Sequence, residues 1–180
     1  MRWKATLFLL AVVFLFGVYA GATAFSGTQV ERVADSIVSG VYFSPNGGCE
    51  DQIVSWIGKA NSSVHILIYS FTLDRIRDAL IQAHGRNVQV EVVFEHNSLN
   101  DAGNEYQNLK NAGIAVRADG NSAYMHDKVM VVDGKVVLTG SYNWSSQAEN
   151  ENNEDLVVIT SDNVAGIYES EFQKIWNAAH

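Results

Sequence analysis

Between residues 37 and 178, short apolar runs alternate with amphipathic stretches, and this alternation most limits what the chain can fold into. Residues 37–43 (IVSGVYF), 64–71, 88–94, 114–117 and 156–160 have the length and β-branched content of strands. Residues 49–61, 73–83, 99–111 and 163–178 carry apolar side chains at helical spacing. Ile53, Val54, Ile57 and Ala60 mark the first helix, Ile76, Ala79 and Leu80 the second, Leu99, Ala102, Tyr106 and Leu109 the third, and Val164, Ile167, Tyr168, Phe172, Ile175 and Trp176 the last. Gly85 is placed to cap the second helix and Gly113 to stop the third. Residues 128–132 and 135–139 flank Asp133-Gly134, a strong hairpin signal because both turn positions need positive φ. Alternation followed by a hairpin predicts one α/β domain over 37–180, with a mixed, largely buried β-sheet and helices on both faces.

Ahead of this body, Arg2 and Lys4 precede an uncharged stretch from Ala5 to Val30 whose apolar part reads ATLFLLAVVFLFGVYA. Cations, an apolar run and Ala-x-Ala sites at 20–22 and 22–24 describe a signal peptide over residues 1–24, with 25–36 as a short linker. Residues 5–25 are also long enough to remain as a membrane anchor, which would hold the protein at a membrane. Either way the cations stay cytoplasmic and the body is exported: periplasmic, secreted, or anchored with the domain outside.

The whole chain has 12 Lys+Arg against 20 Asp+Glu, a formal charge of −8, which deepens to −10 without Arg2 and Lys4. That excludes a protein coating nucleic acid by bulk charge, though not a local phosphate site. A hydrophobic content of 47% excludes a disordered chain. A single cysteine excludes an internal disulfide framework; Cys49 reads as a small, partly buried residue at a helix start, with pairing between chains or reactivity as the alternatives.

Chemistry concentrates in residues 125–155, MHDKVMVVDGKVVLTGSYNWSSQAENENNED. His126 and Lys128 lie two apart where a strand begins, so their side chains share a face; Ser141 and Asn143 repeat the spacing after the paired strand. An ammonium, a hydroxyl and a carboxamide suit an anionic phosphoryl group. An imidazole among them can attack phosphorus. Singly, each has an ordinary account as a strand-edge pair, a turn or a loop residue. The acidic run ENENNED lacks the order of a calcium loop, and zinc-hydrolase spacing is absent, so neither metal nor cofactor is expected.

The spacing HDKVMVVD at 126–133 followed by GSYN at 140–143 resembles the phospholipase D superfamily, whose signature is HxKxxxxD then GSxN. YFSPNGGCEDQI at 42–53 is similar to that family's opening strand and loop, and the resemblance extends over about residues 37–177. A single motif in a short chain looks most like the small endonuclease branch. Animal one-motif members carry a Cys/His zinc insertion that one cysteine cannot supply.

The resemblance implies roles. His126 would form a phosphohistidine, Lys128 and Asn143 would hold the non-bridging oxygens, and Ser141 would bond at the same site. Glu154 would orient the imidazole, with Glu149 and Glu151 as rivals; Asp133, the motif's aspartate, sits in the turn, where a structural role fits it. Arg117 and Lys135 are further cations for phosphate. A departing alkoxide needs a proton that the nucleophilic histidine cannot give in the same step. A homodimer would supply a second His126, and His96, after the third strand, is the in-chain alternative.

The leading expectation is therefore an exported, metal-independent phosphodiesterase, a non-specific endonuclease on DNA or RNA. A membrane-facing phospholipase using the same residues is the alternative. A catalytically inactive nucleic-acid-binding domain is the reading from another class.

Overall fold

The structure, a computed structural model, describes residues 37–180. The leader and linker expected at 1–36 lie outside the described residues. Seven strands form one mixed sheet: β1 (Ile37–Ser44), β2 (Ser63–Ile68), β3 (Gln89–Phe94), β4 (Ala115–Ala118), β5 (Lys128–Val132), β6 (Val136–Gly140) and β7 (Glu154–Thr160). Their spatial order is β1-β7-β6-β5-β2-β3-β4. The β2–β3 and β3–β4 pairs are parallel and the other four antiparallel.

Helices cover both faces. On one, α1 (Cys49–Lys59) and α2 (Asp74–Gly85) bury Ile53, Ile57, Ile76 and Leu80 against Ile66, Ile68, Val92, Met130 and Leu138. On the other, α5 (Asp162–Ala178) lays Ala165 and Phe172 over Leu67, Val93, Val129, Val131 and Val137. All five β5 residues are buried, which is why that strand is a continuous apolar run apart from Lys128. Each fully buried aliphatic side chain contributes roughly 1.5–3 kcal/mol, so this doubly covered strand is the anchor of the sheet.

The hairpin forms as the Asp-Gly pair predicts, with φ of 54° at Asp133 and 63° at Gly134. Two local expectations fail. The helix expected over 99–111 is only α3 (Tyr106–Asn111), preceded by a 3₁₀ turn at His96–Ser98. Gly103 sits at φ 79°, and the Asn104 side chain donates to the Ser98 carbonyl and accepts the Tyr106 N–H. Such local side-chain bonds compete with helix. Leu99 still packs on the core from the turn, so its helical spacing misled. After α2 the left-handed position is Asn87 (φ 67°), not Gly85. The remaining short helix is α4 (Ser146–Asn150), capped by the Ser145 hydroxyl. No helix among the described residues is long and apolar enough to cross a membrane.

Candidate active site

Because β5 runs antiparallel to both β2 and β6, the start of β5, the end of β6, the start of β7 and the C-terminal ends of β2–β4 share one edge of the sheet. His126, Lys128, Gly140, Ser141, Asn143 and Glu154 line a pocket of about 310 Å³ there. Residues up to 28 apart in sequence, His126 and Glu154, thus converge through the pairing of β5, β6 and β7.

Lys128 is 7% exposed. Its Nζ donates to the His126 carbonyl at 2.8 Å and lies 3.2 Å from His126 Nδ1. Burial lowers the ammonium pKa, partly offset by Asp127 and Glu154. A dehydrated cation with no carboxylate bonded to it is ready for an anionic ligand. Asn143 Oδ1 is buried without a hydrogen-bond partner, so this carboxamide too is only partly used by the fold.

The backbone stitching around the pocket explains how Asn143 is held. Trp144 N–H donates to Ser70, and the Trp144 carbonyl accepts from Thr72 and Leu73. Gly140 is required by close approach: a Cβ there would stand 2.1 Å from the Asp155 carbonyl oxygen. The glycine of GSYN thus lets β6 close on β7 and bring Ser141 to the pocket.

Ser141 Oγ donates to Glu154 Oε2 at 2.6 Å, and Asn152 holds the other oxygen at 2.9 Å. The resemblance implies that Glu154 orients the imidazole; in this chain it grips Ser141, and the group at His126 Nδ1 is Lys128. Neither rival carboxylate takes that role. Glu149 accepts from Tyr142 and the Glu50 N–H, and Glu151 is exposed at the end of α4.

Three expected contributors lie elsewhere. Asp133 is five residues from Lys128 along β5, about 17 Å at about 3.4 Å per residue. Its carboxylate accepts N–H bonds from Asn61, Ser62 and Ser63 and a hydroxyl from Ser62. Burial alone would raise the Asp133 carboxyl, but these donors outweigh it and hold it at about 2. Lys135 lies at that same far end, beside the turn. Arg117 is on β4, three strands from β5, or roughly 14 Å away. Its guanidinium donates to the Trp176 carbonyl at 2.7 Å and stacks on the Trp176 ring at 4.2 Å, which serves α5 docking rather than phosphate.

His96 is on the right edge of the sheet but two strands from β5, held by Asp119 at 3.2 Å. Glu95, His96 and Asp119 have ligand-type atoms within 4.8 Å of one another. Both carboxylates are spent internally, Glu95 on Asn97 and Met125 N–H groups and Asp119 on those of His96 and Asn121. Cys49 is fully buried, its thiol pushed up to about 11 by burial and by Glu149 and Asp155, which suits an inert helix-start residue.

Sequence reasoning missed Tyr69. Its ring lies 4.4 Å from that of His126 and 4.8 Å from Lys128 Nζ, and its N–H donates to the Asp127 carbonyl. Its place just past β2, on the edge that carries the motif, was the available signal.

A family model described as "Cardiolipin synthase, PLD-like domain" matches residues 53–176. The chain belongs to the phospholipase D superfamily. Within this superfamily it is 29% identical over 144 residues to a mitochondrial cardiolipin hydrolase of Chlamydomonas reinhardtii, covering 73% of this chain and 65% of the relative. It is 32% identical over 140 residues to a phospholipase D of Rickettsia bellii, covering 78% and 69%. Among solved structures it is similar to the phospholipase D family member Nuc of Salmonella typhimurium, with 33% identity, a TM-score of 0.76, and coverage of 81% of this chain and 97% of that one. NucT from Helicobacter pylori gives 27% identity and a TM-score of 0.72 over 78% and 96%. The chain spans 56 to 65% of the length of the first cardiolipin hydrolases it matches.

Proposed function

We propose that this protein is a metal-independent phosphodiesterase, an exported non-specific endonuclease on DNA or RNA that works through a phosphohistidine in a homodimer. The observation that carries it is the convergence of His126, Lys128, Ser141, Asn143 and Glu154 on one 310 Å³ pocket, with the Lys128 ammonium unclaimed by any carboxylate. Export is inferred from Arg2, Lys4 and the apolar run behind them.

Lys128 and Asn143 bind the non-bridging oxygens and draw charge from phosphorus. Lys128 then leaves Nδ1 for the phosphate, and a ring nitrogen of His126 attacks. The P–N bond forms as the P–O bond breaks, and the leaving oxygen takes a proton from a second histidine. That histidine then takes a proton from water, which attacks phosphorus, breaks the P–N bond and returns His126. One chain has one such histidine, so the second comes from a symmetry mate. An exposed apolar strip on one face of the edge strand β1, Val38, Val41 and Phe43, supports this: the strand ends where Ser44 pairs with Glu154, so the strip runs toward the pocket's end of the sheet.

Lipid hydrolysis is the second reading, favoured by the relatives named cardiolipin hydrolase and phospholipase D. Against it, the pocket itself is lined by polar side chains and a glycine, with no apolar wall for acyl chains. Purified protein in EDTA, offered plasmid DNA, RNA and vesicles of cardiolipin or phosphatidylcholine beside His126→Ala, separates the readings. Nicked plasmid and degraded RNA are expected; phosphatidate release with intact nucleic acid would replace this reading with the second.

A further inference from the structure

A second and larger cleft, about 530 Å³, lies beside the phosphate pocket, between residues 119–127 and the last turns of α5. His126 lines both cavities. A group seated in the cleft therefore adjoins the phosphate that His126 attacks. Resting on the nucleic-acid reading above, we infer that this cleft is the subsite for the nucleobase on one side of the scissile phosphate, with Tyr124 as its stacking platform.

Charge decides what part of a polyanion can enter. Asp127 and Glu171 face the cleft, and its one ammonium, Lys174, is already paired with Glu171 at 2.9 Å. A neighbouring phosphate is repelled from such a wall, so a neutral part of the polymer goes there. Polarity then argues against hydrocarbon. His126, Asp127, Glu171 and Lys174 all line the cleft, and drying them against an acyl chain is costly.

A base satisfies both conditions, being apolar on its faces and polar at its edges. Buried Met125 with Ile175 and Ala178 give the cleft an apolar floor. Tyr124 is 60% exposed at its side and set edge-on to Tyr69, with centroids 6.1 Å apart at 68°, so a face of its ring stays free. Among the described residues the Asp127 carboxylate accepts no hydrogen bond, leaving it for an exocyclic amino group. Stacking on an aromatic ring tolerates any base, as a non-specific nuclease requires.

The test compares an intact oligonucleotide with one carrying a single abasic residue, both cleaved by the full-length protein and mapped at each linkage. Only one of the two linkages flanking the abasic residue should slow, by about five- to 160-fold, since stacking on a protein aromatic contributes about 1–3 kcal/mol per base. Tyr124→Phe keeps this asymmetry and Tyr124→Ala removes it by slowing the intact substrate toward the abasic rate. Equal cleavage on both sides, or asymmetry that survives Tyr124→Ala, overturns the subsite. Failure to cut even the intact oligonucleotide, with hydrolysis of cardiolipin vesicles instead, overturns the nucleic-acid reading itself.

Discussion

The Tyr69 ring touches the two groups proposed to do the chemistry, 4.4 Å from the His126 ring and 4.8 Å from the Lys128 ammonium. It walls the imidazole on one side and offers a π-face to a cation that burial otherwise penalises. Tyr69→Phe keeps the face and should keep turnover. Tyr69→Leu should lower kcat roughly ten- to a hundred-fold, the cost of a misplaced reacting group. Circular dichroism and unfolding midpoints check that the loss is not one of fold. Equal damage from both variants would assign the role to the hydroxyl instead.

His126→Ala should lower kcat/KM on the order of 10⁴ or more, as removal of a nucleophile does. A covalent phosphoryl adduct should be trapped by rapid quench on the wild type and be absent from the variant. Lys128→Met should raise KM as well as lower kcat, since the ammonium holds the phosphate in ground and transition states alike.

Full turnover is expected in EDTA. Complete dependence on added Mg²⁺ would contradict a mechanism in which Lys128 and Asn143 carry the phosphoryl charge.

The salt dependence of nucleic-acid binding should be shallow. With Arg117 spent on Trp176 and Lys135 at the far end of β5, few phosphates are neutralised. The log–log slope should be about −1 to −2, from roughly −0.9 per phosphate on a duplex. A slope several times steeper would point to a cationic surface outside the described residues.

Asp133 gives a pH signature to stability rather than to activity. Its carboxyl is held at about 2 against 3.8 for the free group. A depressed folded-state pKa contributes stability fully above the unfolded value and loses it as pH falls through the folded one, so the window is about pH 4 to 2. Asp133→Ala should cost about 2 kcal/mol at neutral pH, the range for bonds to a charged acceptor. It should also flatten the stability profile within that window, while turnover per folded molecule is retained. Urea midpoints measured across pH 2–6 check this.

The sheet and its covering helices were legible because burial on both faces leaves continuous apolar runs, as at Val129–Val132, and burial on one leaves a stripe, as at Ile53 and Ile57. The pocket residues were legible because period-2 geometry puts His126 with Lys128 and Ser141 with Asn143. What failed was set by side chains finding local or distant partners that spacing does not encode. Asn104 bonds Ser98 and Tyr106, which ends a helix that Leu99 and Ala102 suggested. Arg117 finds a carbonyl 59 residues later in α5. Glu154 was placed in the pocket, but its partner, Ser141 rather than His126, depended on how tightly Gly140 lets β6 approach β7.

The clasp that Asp133 makes on Asn61, Ser62 and Ser63 sits at one tip of β5, and Lys128 at the other. The four residues between them in HDKVMVVD are thus a ruler. They set the distance from a fixed post to the ammonium, and because side chains alternate along a strand, each residue gained or lost between the two swaps the face that Lys128 presents. Adding or deleting one residue between Lys128 and Asp133 would leave every reacting side chain encoded and yet turn the ammonium away from the site. The aspartate that completes the signature pins the far end of the strand and takes no part in the pocket itself.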